Sequence, residues 1–149
     1  IISKNGVMLL NVLQRPDGSI DEETVFILEE LASWVKVCSE AVYDTNPWRI
    51  YGEGDTCVLI DGFKEEKAEW NSSDFRFTTK GKTLYAFMLK APENGVTIIK
   101  SLTEQEKVVS VRLLGEGKLP FSQSFGTLIV KLPEKLPTCY TNCIAIEIE

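Results

Sequence analysis

The feature that most constrains this chain is a change of hydrophobic period partway along it. Between Val25 and Val35 the apolar residues Val25, Ile27, Leu28, Leu31, Ala32, Trp34 and Val35 recur at three- and four-residue steps, with Glu22, Glu23, Glu29, Glu30 and Ser33 on the remaining positions. That is the stripe of an amphipathic helix running to about Val37. From about Asp55 onward the repeat falls to two. Phe75 and Phe77 precede Lys80-Gly81; Leu84, Ala86 and Met88 alternate with Tyr85, Phe87 and Leu89 before Glu93-Asn94-Gly95; and Val109, Val111 and Leu113, Leu128, Val130 and Leu132, and Ile144, Ile146 and Ile148 continue the pattern. Short alternating strands with Gly and Pro punctuation predict a mainly β fold, a two-sheet antiparallel sandwich of six or seven strands.

Upstream of the helix, Val7-Met8-Leu9-Leu10 runs without polar alternation and is followed by Asn11 and Val12. A short unbroken apolar run suits a strand buried on both faces, as in a parallel sheet, ending near Leu13. Pro16-Asp17-Gly18 then forms a turn. The helix start falls either at Ser19, which has capping-box spacing to Glu22, or at Asp21, which would let Ile20 staple onto Val25. One doubly buried strand and one helix cannot complete a parallel sheet, so residues 1–46 read as the terminal βα unit of a larger α/β barrel. Residues 47–54, with Pro47, Trp48, Gly52 and Gly54, read as a linker in which Trp48 wedges two domains, and residues 55–149 as the sandwich. The chain begins at Ile1 rather than Met, which suggests a removed leader or a piece of a longer protein.

Composition narrows the chemistry. At 149 residues with 44% apolar content the chain can build a conventional core without a staple. Its longest apolar runs are far short of a bilayer span. A net charge of −6 with scattered basic residues disfavours nucleic acid. There is no histidine, which excludes Ser-His and Cys-His nucleophile pairs and His-ligated metals. Cys38, Cys57, Cys139 and Cys143 show no Cys-x-x-Cys spacing and read as small buried thiols. Cys139 and Cys143, four apart along one strand, are too distant to bridge. No metal or cofactor is implied.

Four ordered segments, SKNGVMLLNV, PDGSIDEETVFILEELASWVKV, EAVYDTNPWRIYGEG and DFRFTTKGKTLYAFML, resemble the C-terminal third of the α-L-fucosidases of glycoside hydrolase family 29. The resemblance covers residues 3 to 90 and is compatible to the end. It implies a (β/α)8-type barrel followed by a C-terminal β-sandwich, and an exported location (periplasmic, extracellular or lysosomal-type). It also implies a retaining double displacement by an Asp nucleophile and a Glu acid/base, in a reaction class whose two carboxyl groups stand about 5–5.5 Å apart. Both catalytic carboxylates of the family lie upstream of the matched segments, so none is assigned here. Where relatives read Asn-Val-Gly-Pro this chain has Asn11-Val12-Leu13-Gln14-Arg15-Pro16, and where many have Asn-Gly after the helix it has Cys38-Ser39.

Asn11, Gln14 and Arg15 are the substrate-proximal candidates, because barrel sites gather at the carboxyl ends of strands. Trp70, beside Asn71-Ser72-Ser73, is the candidate for stacking on a sugar face; the plainer reading is a ring covering one end of the sandwich. Asn71-Ser72-Ser73 also fits the N-glycosylation sequon. The adjacent carboxylates Glu22/Glu23, Glu29/Glu30, Glu65/Glu66 and Glu104/Glu106 read as solvated surface, as does Lys64-Glu65-Glu66-Lys67. The expected function is the non-catalytic C-terminal portion of a fucosidase, inactive alone, with a stand-alone carbohydrate-binding module as the alternative. The expected partners are the barrel or a second copy of the chain through residues 7–38, and fucosylated glycans through the parent enzyme, with neither nucleic acid nor a membrane. Without such a partner the helix is expected to dock on the sandwich.

Overall fold

The computed structural model describes residues 1–56, 60, 61, 64, 65 and 68–149. A 3-10 turn at Ile2–Lys4 precedes helix α1, Glu22–Val42. Eleven strands follow among the described residues: β1 Asn46–Glu53, β2 Ile60–Asp61, β3 Lys64–Glu65, β4 Phe75–Lys80, β5 Thr83–Met88, β6 Val96–Ile99, β7 Val108–Leu113, β8 Gly117–Lys118, β9 Phe121–Ser124, β10 Thr127–Lys131 and β11 Asn142–Ile148. Six of them form one sheet in the order β1-β4-β5-β11-β7-β8, three form a second in the order β6-β10-β9, and β2 pairs with β3. Every pairing is antiparallel.

The hairpins follow from their turn residues. β4 and β5 close around Gly81 and Lys82, with Lys80 opposite Thr83 and Gly81 at φ 58°. β9 and β10 close around Phe125 and Gly126, both at positive φ. The main core lies between the two sheets, where Phe75, Phe77, Leu84, Ala86, Met88, Val111, Leu113, Ile144 and Ile146 meet Ile99, Leu128 and Val130. The alternate residues of the central strands face the other way: Tyr85, Phe87, Cys143 and Ala145 form a second layer with Leu114 beneath Trp34, Val37, Cys38 and Ala41 of α1. Coverage on both faces explains why β5 and the middle of β11 are buried at nearly every position.

Asp21 is the helix N-cap, its carboxylate accepting from the Thr24 N–H at 2.7 Å. Glu22 and Glu23 lie exposed in the first turn, where the helix dipole favours negative charge. The helix continues past Val37 to Val42 because Cys38 and Ala41, both fully buried, are small enough to let it lie against the sheet. Thr78 Oγ1 donates to the Ala41 carbonyl at 2.8 Å, and Arg112 donates to Glu40 with both of its terminal nitrogens.

Two expectations are corrected. Residues 7–13 form no strand: Val7, Leu9 and Leu13 are 94, 89 and 80% exposed and the segment joins neither sheet. Its apolar run expresses a demand for neighbours on both sides, and the described strands supply none. Residues 47–54 are not a free linker, since β1 hydrogen-bonds to β4 as an edge strand with a register shift between Pro47 and Gly52. An edge position tolerates Pro47, which has no N–H to give. Trp48 accordingly packs edge-on against Phe77, 5.1 Å between ring centroids, rather than wedging two domains. The turn at Pro16-Asp17-Gly18 forms, with Asp17 Oδ1 accepting from the Ser19 N–H at 3.0 Å and Gly18 at φ 83°. Lys64 and Glu65 of the charged run lie in β3, while Glu66, Lys67 and Cys57 lie outside the described residues. Cys38, Cys139 and Cys143 are all free thiols, with Cys139 exposed.

Candidate functional site

Only the second half of α1 is docked. Its first turns carry Val25, Phe26 and Ile27, all exposed, and Phe26 and Ile27 with Glu30, Leu31 and Trp34 wall a groove of about 330 Å³ closed on its other side by Tyr140 and Thr141. The Trp34 indole N–H donates to the Thr141 carbonyl at 2.6 Å, and the Tyr140 hydroxyl donates to Glu30 Oε2 at 2.8 Å. That carboxylate pushes the Tyr140 phenol above its ordinary value. The preceding segment adds Val7, Met8, Leu9, Leu10 and Leu13, all exposed. Exposed apolar side chains in this number mark an interaction surface. Sequence reasoning missed Phe26 and Tyr140. The available signal was that Val25-Phe26-Ile27 makes the start of the helix apolar around more than one stripe, with a lone aromatic in the Pro137-Thr138-Cys139-Tyr140 loop.

Asn11, Gln14 and Arg15 are all exposed in the segment leading to α1. Arg15 is fixed by its backbone, which donates to the Ser19 carbonyl and accepts from the Gly18 N–H, both at 2.9 Å. Trp70 is half-buried in the segment before β4, and the Arg76 guanidinium sits 5.1 Å from its ring centroid. Arg76 also stands 5.5 Å from the Tyr51 ring, over which Lys4 Nζ lies at 4.4 Å. This column of cations and aromatics ties the N-terminal turn to the sheet edge.

Four residues after Trp70 comes the one buried carboxylate among the described residues, Asp74. It accepts from the Asn71 N–H at 2.7 Å, the Thr56 N–H at 3.2 Å and the Thr56 hydroxyl. Burial alone would raise its pKa; the hydrogen bonds from Asn71 and Thr56, with the Arg76 charge nearby, outweigh it and hold the carboxyl below its ordinary value. Gly54, at φ 122°, passes so close that a Cβ there would meet Asp74 Oδ1 at 2.0 Å. Asp74 is therefore a structural clamp on the turn. Two of the adjacent carboxylates are engaged: Glu30 holds Tyr140, and Glu106 accepts from Arg49 at 3.0 Å and from the Thr103 N–H at 2.7 Å. No group of three metal-ligating side chains occurs among the described residues.

Comparison with known proteins accounts for this layout. Residues 67–147 match the family model described as the alpha-L-fucosidase C-terminal domain, and residues 1–40 match that described as alpha-L-fucosidase. The tissue alpha-L-fucosidase of Macaca fascicularis is 30% identical over 139 residues, covering 92% of this chain and 26% of that protein. Among solved structures, alpha-L-fucosidase isoenzyme 1 from Paenibacillus thiaminolyticus superposes with a TM-score of 0.72 at 25% identity over 99% of this chain and 32% of its own. The Thermotoga maritima alpha-fucosidase in complex with a mechanism-based inhibitor does so with the same score at 24% identity, over 98% of this chain and 31% of its own. A mainly β chain with two antiparallel sheets and one helix laid across the larger of them is thus a C-terminal sandwich of glycosidase type. The chain belongs to the α-L-fucosidase family and carries that family's C-terminal domain. It spans about a quarter of the length of the tissue enzyme it matches.

Proposed function

We propose that this chain is the non-catalytic C-terminal portion of a retaining α-L-fucosidase that releases α-L-fucose from glycans, with the sandwich buttressing the catalytic barrel. Residues 1–46 would be the last βα unit of that barrel and the rest its supporting sandwich, with β1 as the strand that joins them. The observation carrying this reading is the divided helix: Trp34, Val37, Cys38 and Ala41 are committed to the sandwich, while Val25, Phe26 and Ile27, with Val7 to Leu13, offer their apolar side chains to something else. A barrel whose last strand is Val7 to Leu13 would bury that surface and supply the neighbours the segment lacks. Asn11, Gln14 and Arg15 would then stand at the carboxyl end of that strand, near substrate. The stand-alone sugar-binding alternative is weakened by Arg76, which already occupies the Trp70 ring.

The test is hydrolysis of an aryl α-L-fucoside. The 149-residue chain at high concentration should give no turnover. In the full-length enzyme, Phe26→Ser with Leu9→Ser should lower the thermal midpoint and the yield of active enzyme, while leaving KM for the folded fraction unchanged. Turnover by the isolated chain would overturn the proposal.

A further inference from the structure

We propose that Asn94 is a self-modification site: its side chain closes onto the Gly95 backbone nitrogen, expels ammonia and leaves isoaspartate and aspartate at the entrance to β6. The tripeptide Asn-Gly-Val occurs twice in the chain, as Asn5-Gly6-Val7 and as Asn94-Gly95-Val96. Glycine has no Cβ to obstruct attack by its nitrogen on the preceding side chain. Covalently the two sites are alike, so a difference between them is the work of the fold.

The fold distinguishes them at both reacting atoms. Asn94 is exposed in the turn between β5 and β6, and its Oδ1 accepts from the Val96 N–H at 3.1 Å. That donor is aimed at the oxygen on which negative charge develops as Cγ becomes tetrahedral, so the bond strengthens along the reaction. The attacking nitrogen is loosely held: the Gly95 N–H donates to the Pro92 carbonyl at 3.3 Å, beyond the ordinary range. Gly6, by contrast, donates to the Ile1 carbonyl at 3.1 Å, and among the described residues no backbone N–H donates to Asn5 Oδ1.

The chemistry needs only water. The Gly95 amide loses its proton to solvent and its nitrogen bonds Asn94 Cγ; the Cγ–Nδ2 bond breaks, and Nδ2 takes a proton back from solvent and leaves as ammonia. Water then opens the five-membered imide. Addition at Cγ leaves aspartate, and addition at the Asn94 main-chain carbonyl carbon leaves isoaspartate, whose main chain runs through Cβ and Cγ and is one carbon longer. Either product adds a negative charge to a crevice of about 400 Å³ that Glu93, Glu134 and Lys131 already line. Isoaspartate also displaces Gly95, whose carbonyl accepts from the Leu132 N–H at 2.8 Å, and removes the bond from Val96 to Oδ1. Within its sheet β6 is an edge strand held by β10 alone, so the change loosens the smaller sheet from its edge.

The experiment incubates the full-length enzyme at neutral pH in H2 18O and follows both asparagines by peptide mapping. A carboxyl methyltransferase directed at isoaspartate, with labelled S-adenosylmethionine, counts the isoaspartate formed, and no fucosidase activity enters the readout. In the folded enzyme Asn94 should react about tenfold faster than Asn5, a smaller factor than a donor in a closed active site contributes. In urea, where both turns are lost, the two should react at similar rates. Val96→Pro removes the N–H that Asn94 accepts, at the first residue of an edge strand where proline is tolerated, and should slow Asn94 by about tenfold. If that variant misfolds, the comparison of folded with urea-treated parent decides alone. Equal rates at the two sites in the folded enzyme, a lead for Asn94 that persists in urea, or an unchanged rate in folded Val96→Pro overturns the proposal.

Discussion

The Trp34 indole nitrogen donates to the Thr141 carbonyl across 107 residues of sequence, at 2.6 Å, and its ring lies 6.2 Å from that of Phe87. This contact joins α1 to the entrance of β11, the strand at the centre of the larger sheet, and couples helix docking to the stability of the sandwich. Trp34→Phe keeps most of the packing and leaves the Thr141 carbonyl only the longer bond from the Thr138 hydroxyl at 3.3 Å, so it should cost about 1 kcal/mol. Trp34→Ala also removes the ring and should cost roughly 2–3 kcal/mol, below the usual penalty for a buried aromatic because this one is half-exposed. Urea unfolding followed by far-ultraviolet dichroism checks both. If α1 were independent of the sheet, neither substitution would move the sandwich transition.

Asp74 predicts how stability responds to acid. Its folded pKa lies below the ordinary 3.8, so the charged form is favoured by folding. The stabilisation is fully present above the unfolded value and is lost as pH falls through the folded one. Asp74→Asn keeps the shape but gives one oxygen in place of two for the donors from Asn71 and Thr56. It should destabilise at pH 7 by about 1–3 kcal/mol, and the difference from the parent should shrink below pH 4, measured by thermal unfolding across pH. A difference that stays constant down to pH 2 would contradict the assignment.

Phe125 occupies the first central position of the β9–β10 turn at φ 49°, followed by Gly126 at φ 78°, with its ring 90% exposed. A two-residue hairpin with both φ positive favours Asn-Gly, and a bulky aromatic there is held by its strands at a cost. Phe125→Asn should therefore raise stability by about 0.5–1 kcal/mol, read as a higher thermal midpoint. An unchanged or lower midpoint would mean that the exposed ring makes a contribution that geometry alone does not reveal.

Much of this fold was legible because its elements are locally consistent. The β4–β5 hairpin is written in Phe75, Phe77 and Lys80-Gly81, and the helix in its apolar spacing. β1 was hidden because an edge strand with a register shift at Pro47 to Gly52 carries no alternation to detect. The run Val7 to Leu13, read as a barrel strand, forms none here: hydrophobicity reports a demand for burial, and the described strands supply no neighbours for it. The extension of α1 to Val42 depended on Cys38 and Ala41 meeting Tyr85 and Phe87, a contact between segments that periodicity in either one does not contain. The groove partner Tyr140 lies in a Pro-containing loop with no pattern at all, and only the tertiary fold brings it to Glu30.

The thiols offer a readout of helix docking that needs no mutation. Cys38 and Cys143 share the layer between α1 and the sheet, both almost fully buried; burial pushes the Cys38 thiol up to about 11 and Cys143 well above its ordinary value. The thiolate is the reactive form, so both are protected twice, by access and by protonation. Cys139 is exposed. With iodoacetamide at pH 8 and mass mapping, Cys139 should be alkylated in minutes, while Cys38 and Cys143 react only as the chain opens. Trp34→Ala should accelerate Cys38 more than Cys143, because Cys38 leaves with the helix whereas Cys143 stays within the β11 ladder. Equal rates at Cys38 and Cys139 in the native chain would show that the second half of α1 is not docked.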